Sequence, residues 1–459
     1  MAVDKEGESR RQLLAGFGAL AATAAASPAH AAFPKEVQTS GGTLTSPLGA
    51  PNADNRPTDR GGFIVGGEAT FTLRNARILV GDGTELVGGI RIERGEIVEV
   101  GPGVTTGEDL AGAVVFPGFF DGGSTIGLVE IDLEAATHDE SESVDAVVTA
   151  ARIEDAYNTD SALIPVARRQ GVLGGLVLPT GGLVSGQGAW MRFAGERVVE
   201  ATMLGAAGLV IHFGHGGTGA LPNQPKSRMG VALKLRELIE ANEAPDPPDP
   251  KAKKKKADDD KPEELTRSQK AWHAVRAREL KVILEANRAD DILSAIAFAR
   301  EFSLDAVLGG CAEGHLVAGD IAASGFTVLL APTSTQPSDW ETLNAAYENP
   351  ARLHAAGVRF VFRGGGPHNL RELPTEACIA VANGLPYSAA IAAACGHNAA
   401  ATWSLPIGTL KVGRPATLAT AEADPLQPRT RIRRAWIAGR EVSLRSRQTT
   451  LFERFRTLW

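Results

Sequence analysis

The chain has 459 residues, 43% hydrophobic and 22% charged, with a net charge of −7. That balance is globular and excludes disorder throughout, and the acidic sign argues against a nucleic-acid partner. Three cysteines, Cys311, Cys378 and Cys395, are too few for a disulfide scaffold and too scattered for a cysteine-rich zinc module.

In chain order, Ser9-Arg10-Arg11-Gln12-Leu13-Leu14 resembles the twin-arginine export motif. An Ala-rich stretch too short to span a bilayer follows, and Ala29-His30-Ala31 offers a small-x-small cleavage site. Residues 1–31 are therefore expected to be a leader, placing the mature protein in the periplasm or outside the cell. Residues 32–69 read as an extended arm. From Thr70, FTLRNARILVGDG and GIRIERGEIVEVGPG alternate apolar and polar residues between glycines, as short antiparallel strands do. GTLKVGRPATLATA and RIRRAWIAGREV repeat the pattern near the other end. Segments 70–113 and 400–445 are thus expected to form one small composite β-sandwich domain.

Between them, 114–399 alternates apolar runs with helical stretches. VVFPGFF, GVLGGLVLP, GLVIHFG, KVILEAN, DAVLGG, FTVLLAP and VRFVFRGGG read as buried parallel strands. The alternation predicts an α/β fold, a (β/α)8 TIM-like barrel, with a doubly wound open sheet as the alternative. The Gly- and Ser-rich stretch Gly181 to Trp190 reads as a loop over the barrel mouth. Residues 243–266, with Lys253 to Lys256 and then Asp258 to Asp260, have opposed charge blocks and no core-forming run, and read as a disordered insertion. The tail 446–459 carries Phe452, Phe455 and Trp459 on one side. It is expected to pack on its own domain, with docking on a neighbour as the alternative.

VVFPGFFDGGSTIGL, LEANRADDI, VLGGCAEGH, VRFVFRGGGPHNL and the closing GTLKVGRPATL together resemble the amidohydrolase superfamily, close to its imidazolonepropionase-like branch. The resemblance spans roughly residues 70–442. It implies a barrel with one or two divalent metals at its mouth, hydrolysing amide, cyclic amide or small peptide bonds. In that family, two His from the first strand, often a carboxylated Lys from the fourth, one His each from the fifth and sixth and an Asp from the eighth surround the metal. The matching places here are Gly123 and Thr125, Val210, Glu285, Gly310 and Gly365. Glycine and valine offer no donor atom, and zinc wants three or four protein ligands. No metal or other cofactor is therefore expected, and a divalent metal at a relocated site is the alternative.

Polar residues remain at the strand ends, where barrel sites form. Glu285, His368 and Asp121 are the candidate catalytic groups. Asn287, Arg288, Asn369 and His212 are candidate substrate contacts. Asp121 has a structural alternative as an acceptor for local backbone, and Asp290 and Asp291 read as helix-cap residues. His212 and His215, three apart, form a possible new metal pair. Cys311 is a weak nucleophile candidate, and Ser185 lies outside a G-x-S-x-G elbow. The expected ligand is a small molecule or small peptide, with no membrane span and with pairing to itself or to a related amidohydrolase. Two functions stand open: a hydrolase of carbon–nitrogen bonds with a rebuilt mechanism, or a non-catalytic ligand-binding barrel or inactive partner subunit.

Overall fold

The computed structural model describes Gly62 and residues 69–242, 264–334, 337 and 339–456. The expected leader, nearly all of the arm, most of the 243–266 insertion and Trp459 lie outside the described residues.

Sixteen strands among the described residues form two sheets. β1 (Phe71–Leu79), β2 (Glu85–Glu93), β3 (Glu96–Gly101), β4 (Glu108–Asp109) and β5 (Val114–Phe116) open the chain. The barrel strands follow: β6 (Phe119–Ser124), β7 (Val172–Val177), β8 (Val184–Arg192), β9 (Thr202–His212), β10 (Val282–Ala286), β11 (Ala306–Gly310), β12 (Thr327–Leu330) and β13 (Phe360–Phe362). The chain closes with β14 (Leu418–Ala421), β15 (Ile432–Ile437) and β16 (Arg440–Val442), then a helix, Arg447–Phe455.

Both chain ends build the first sheet, in the order β16-β15-β14-β5-β1-β2-β3 with β4 on β1. Phe71 on β1 stacks on Trp436 on β15 with ring centroids 4.6 Å apart. Two strands lie between them in that order, so at about 4.8 Å per strand the sheet must curl over itself. Leu73, Ile90, Val115, Leu418 and Trp436 fill the space it encloses. The run VVFPGFF, expected as one barrel strand, divides at Pro117-Gly118. Its first half pairs with β1 and β14, and its second half starts the barrel.

The second sheet is a nearly closed eight-stranded barrel, in the order β13-β12-β11-β10-β9-β8-β7-β6. Its central strands are buried on both faces, which explains their unbroken Val, Leu and Ile content. The expected mouth loop Gly181 to Trp190 is instead mostly strand. β8 is antiparallel to both β7 and β9. The reason is connection length: Leu178 to Leu183 suit a turn, whereas a parallel crossover needs about a dozen residues. Gly181 and Gly182 make that turn at positive φ, 84° and 67°.

No backbone ladder joins β6 to β13 in this order. The buried Asp121 carboxylate closes the seam, accepting the N–H of Gly123 at 3.0 Å and of Gly364 at 2.7 Å. Beside it, Gly122 runs so close to β13 that a Cβ there would lie 3.0 Å from the Phe362 carbonyl oxygen.

The tail helix departs from expectation: no residue of Arg447–Phe455 is buried.

Candidate active site at the barrel mouth

β10 delivers Glu285 to the mouth between two neighbours in register, His212 on β9 and Gly309 on β11. Arg363 leaves the end of β13, three strands away, and reaches across to it. Its Nη1 donates to Glu285 Oε2 at 3.0 Å and its Nη2 to Oε1 at 2.6 Å, a two-pronged pair. The side chains keep only 12% and 18% of their exposure. Burial pushes the Glu285 carboxyl up, but the Arg363 charge and hydrogen bonds outweigh it and hold the group below the usual carboxylate range. Arg363 is affected in the opposite sense: burial disfavours its charge, and Glu285 more than restores it.

The glycines around this pair are required by it. A Cβ on Gly309 would overlap the Glu285 carboxylate, and one on Gly310 would overlap Asn287 Oδ1. A Cβ on Gly123 would lie 2.8 Å from Arg363 Nε. Returning a histidine to the first-strand or sixth-strand place would therefore displace Arg363 or Asn287.

Asp121 lies close enough to feel the Arg363 charge. Burial raises its carboxyl to about 6, against the backbone bonds from Gly364 and Gly123 and the pull of Arg363. Glu285 already neutralises the guanidinium, so a second ionised carboxylate there is uncompensated.

His212 Nε2 lies 2.8 Å from Ser185 Oγ, which also donates to the Gly181 carbonyl at 2.5 Å. With the hydroxyl hydrogen on Gly181, the imidazole carries its proton on Nε2 and leaves Nδ1 as an acceptor. Burial lowers the His212 pKa, with Glu285 opposing, so the ring is neutral. Ser185, set aside by its sequence context, is thus the residue that orients His212.

The remaining candidates separate from this centre. His368 Nε2 sits 3.0 Å from Asp132 Oδ1, facing the loop after β6 rather than Glu285. Asn369 donates its backbone N–H to Gly366 in the same turn. Arg288 pairs with Asp290 at 3.0 Å and lies 4.6 Å over the Trp340 ring, on the rim. The helix Ala289–Glu301 is capped from outside, because Glu313 Oε2 accepts the Ala289 N–H at 2.8 Å. Asp290 Oδ1 also accepts the Asp291 N–H at 3.2 Å in the first turn, and Asp290 and Asp291 both grip Arg228, at 3.0 and 2.9 Å. His215 Nδ1 lies 3.3 Å from Thr218 Oγ1, whereas His212 Nε2 is on Ser185. Cys311 is fully buried, and burial pushes its thiol up, the opposite of an activated nucleophile. Asn287 stays at the site, its Oδ1 buried without a hydrogen-bond partner among the described residues, as is Arg363 Nε.

Sequence reasoning missed Arg363. Its signal was present: one charge follows the apolar Phe360-Val361-Phe362 and precedes three glycines, and a charge buried at a strand end needs a partner.

No protein-family model and no curated protein matches this sequence. Solved structures do. An amidohydrolase from Thermotoga maritima MSB8 superposes with a TM-score of 0.69 and 24% identity, over 82% of this chain and 100% of that one. A prolidase complexed with N-methylphosphonate-L-proline gives 0.51 and 19%, over 82% and 100%. A second amidohydrolase gives 0.50 and 17%, over 81% and 98%. The chain has the amidohydrolase fold.

That fold implies a divalent metal at the mouth, and these residues do not fit one. Among the described residues, no three His, Cys, Asp or Glu side chains converge as a site would require. Glu285, the one carboxylate at a matching place, has both oxygens engaged by Arg363.

Proposed function

We propose that this chain binds a small amide- or peptide-like ligand at the mouth of an amidohydrolase-type barrel and does not hydrolyse it with metal-activated water. The observation that carries this is the Glu285–Arg363 pair. A guanidinium supplies positive charge and directed N–H groups, but it cannot lower the pKa of a bound water from 15.7 to about 7 as a metal does. Arg363 Nε and Asn287 Oδ1, both without a partner among the described residues, suit an amide, which offers one acceptor and one donor. The imidazolonepropionase-like branch and an inactive-partner role rest on the sequence resemblance.

A second reading, metal-free hydrolysis of carbon–nitrogen bonds, is favoured by one feature. His212 is neutral, held in one orientation by Ser185 and next to Glu285, as a general base would be.

Dipeptides and N-acetyl amino acids, tested for thermal stabilisation and for turnover with and without zinc or manganese, decide between them. The expected result is a raised Tm in the wild type, none in Arg363→Met, and no turnover. Turnover that depends on added metal sinks the proposal. Metal-independent turnover that disappears in His212→Ala establishes the second reading. A Tm that no compound moves removes the ligand class.

We propose also that the chain is exported by the twin-arginine route, on the strength of Arg10-Arg11 and the small-residue site ending at Ala31. Amino-terminal sequencing of periplasmic protein should begin at Ala32; a full-length cytoplasmic product is the contrary result.

A further inference from the structure

Outside the set of mouth residues, two features adjoin. The first is a cleft of about 640 Å³ whose lining includes Arg169, Arg429, Arg431, Arg433 and Arg445. All five are exposed. Arg433 pairs with Glu422 and Arg445 with Glu453, whereas Arg169, Arg429 and Arg431 have no carboxylate partner among the described residues. So dense a group of cations runs against the net charge of −7 of the whole chain. Arg431 and Arg433 flank Ile432 at the start of β15, where the extended backbone turns both to one side, and Arg429 joins the cleft lining from the turn just before it.

The second feature starts two residues after Arg445. The helix Arg447–Phe455 is secured at its start by a capping box between Ser446 and Thr449. Leu451, Phe452 and Phe455 share one side of it and are 40%, 68% and 42% exposed. Arg447, Arg454 and Arg456 flank that side. The Arg445–Glu453 pair, 3.0 Å, ties the helix to the cleft rim.

We propose that cleft and helix together form a peripheral docking surface for an anionic lipid bilayer. The arginines take the phosphates of the headgroups, and Leu451, Phe452 and Phe455 enter the boundary between headgroups and acyl chains. Charge complementarity selects this occupant. A soluble anion would satisfy the arginines and leave the aromatic side uncovered. A second copy placed symmetrically would bring two arginine clusters together. An apolar helix side bordered by cations is the pattern of helices that lie in a membrane interface, and no helix among the described residues is long and apolar enough to span one.

Co-sedimentation of the full chain with vesicles tests this. Binding is expected to vesicles containing about 30% phosphatidylglycerol in phosphatidylcholine, at least about tenfold weaker to phosphatidylcholine alone, and reduced by salt. Phe452→Asp with Phe455→Asp, and separately Arg429→Glu with Arg431→Glu, should each weaken binding about tenfold or more while the Tm stays within about 2 °C of wild type. Equal binding by wild type and both double variants overturns the proposal. So does binding of inorganic phosphate without vesicle binding, or a dimer abolished by Phe452→Asp in a protein that ignores vesicles.

Discussion

The carboxylate of Glu285 stays ionised inside the barrel because Arg363 meets both of its oxygens. Removing one partner leaves a buried charge alone, which typically costs about 3–5 kcal/mol. Arg363→Ala is therefore expected to lower unfolding stability by that order in a denaturant titration. The double variant Glu285→Gln, Arg363→Met should recover much of the loss; equal cost for single and double variants would show that the two groups are not coupled. Asp121 makes a pH prediction. Its native carboxyl is raised to about 6 by burial, while the unfolded one keeps a value near 4. Between these the native state holds the proton more often. The contribution is complete below about pH 4, is lost as the pH rises to about 6, and is constant above. Asp291, raised by burial to about 6 as well, acts in the same direction. Stability against pH should fall across this window, and Asp121→Asn should flatten the fall; an unchanged slope would contradict the assignment.

At the scale of elements, the glycine-ended strand β11 and the carboxylate-bearing β10 fit each other. A Cβ at Gly309 would overlap Glu285, so Gly309→Ala is expected to cost about 1–3 kcal/mol, read by the same titration. A tolerated substitution would mean that the pair can move aside. The buried parallel strands were legible in the sequence, because burial on both faces demands uninterrupted apolar residues. β8 was not, because its glycines and Ser185 have the composition of a turn. The decisive signal was the short interval after Val177, which allows a reversal and not a crossover. The mouth was legible in part. The absence of donor side chains at Gly123, Gly310 and Gly365 is a property of the sequence. That Arg363 spans the opening is a property of the closed barrel, since it joins positions 78 residues apart.

For the whole molecule, the fold is one claim and the chemistry proposed for the mouth is another. The barrel, the curled sheet made from both chain ends and the likeness to amidohydrolases give the architecture, and fold does not fix reaction. The mouth holds its own cation, the Arg363 guanidinium, covalently part of the chain and neutralised by Glu285. Asp121 ties the seam between β6 and β13 by accepting the Gly123 and Gly364 N–H groups. Elemental analysis of the purified full chain, after exposure to zinc and manganese and then dialysis, tests this most directly. The account predicts no metal retained in stoichiometric amount, in the wild type and in Glu285→Gln alike. One ion per chain in the wild type, lost in Glu285→Gln, would contradict it.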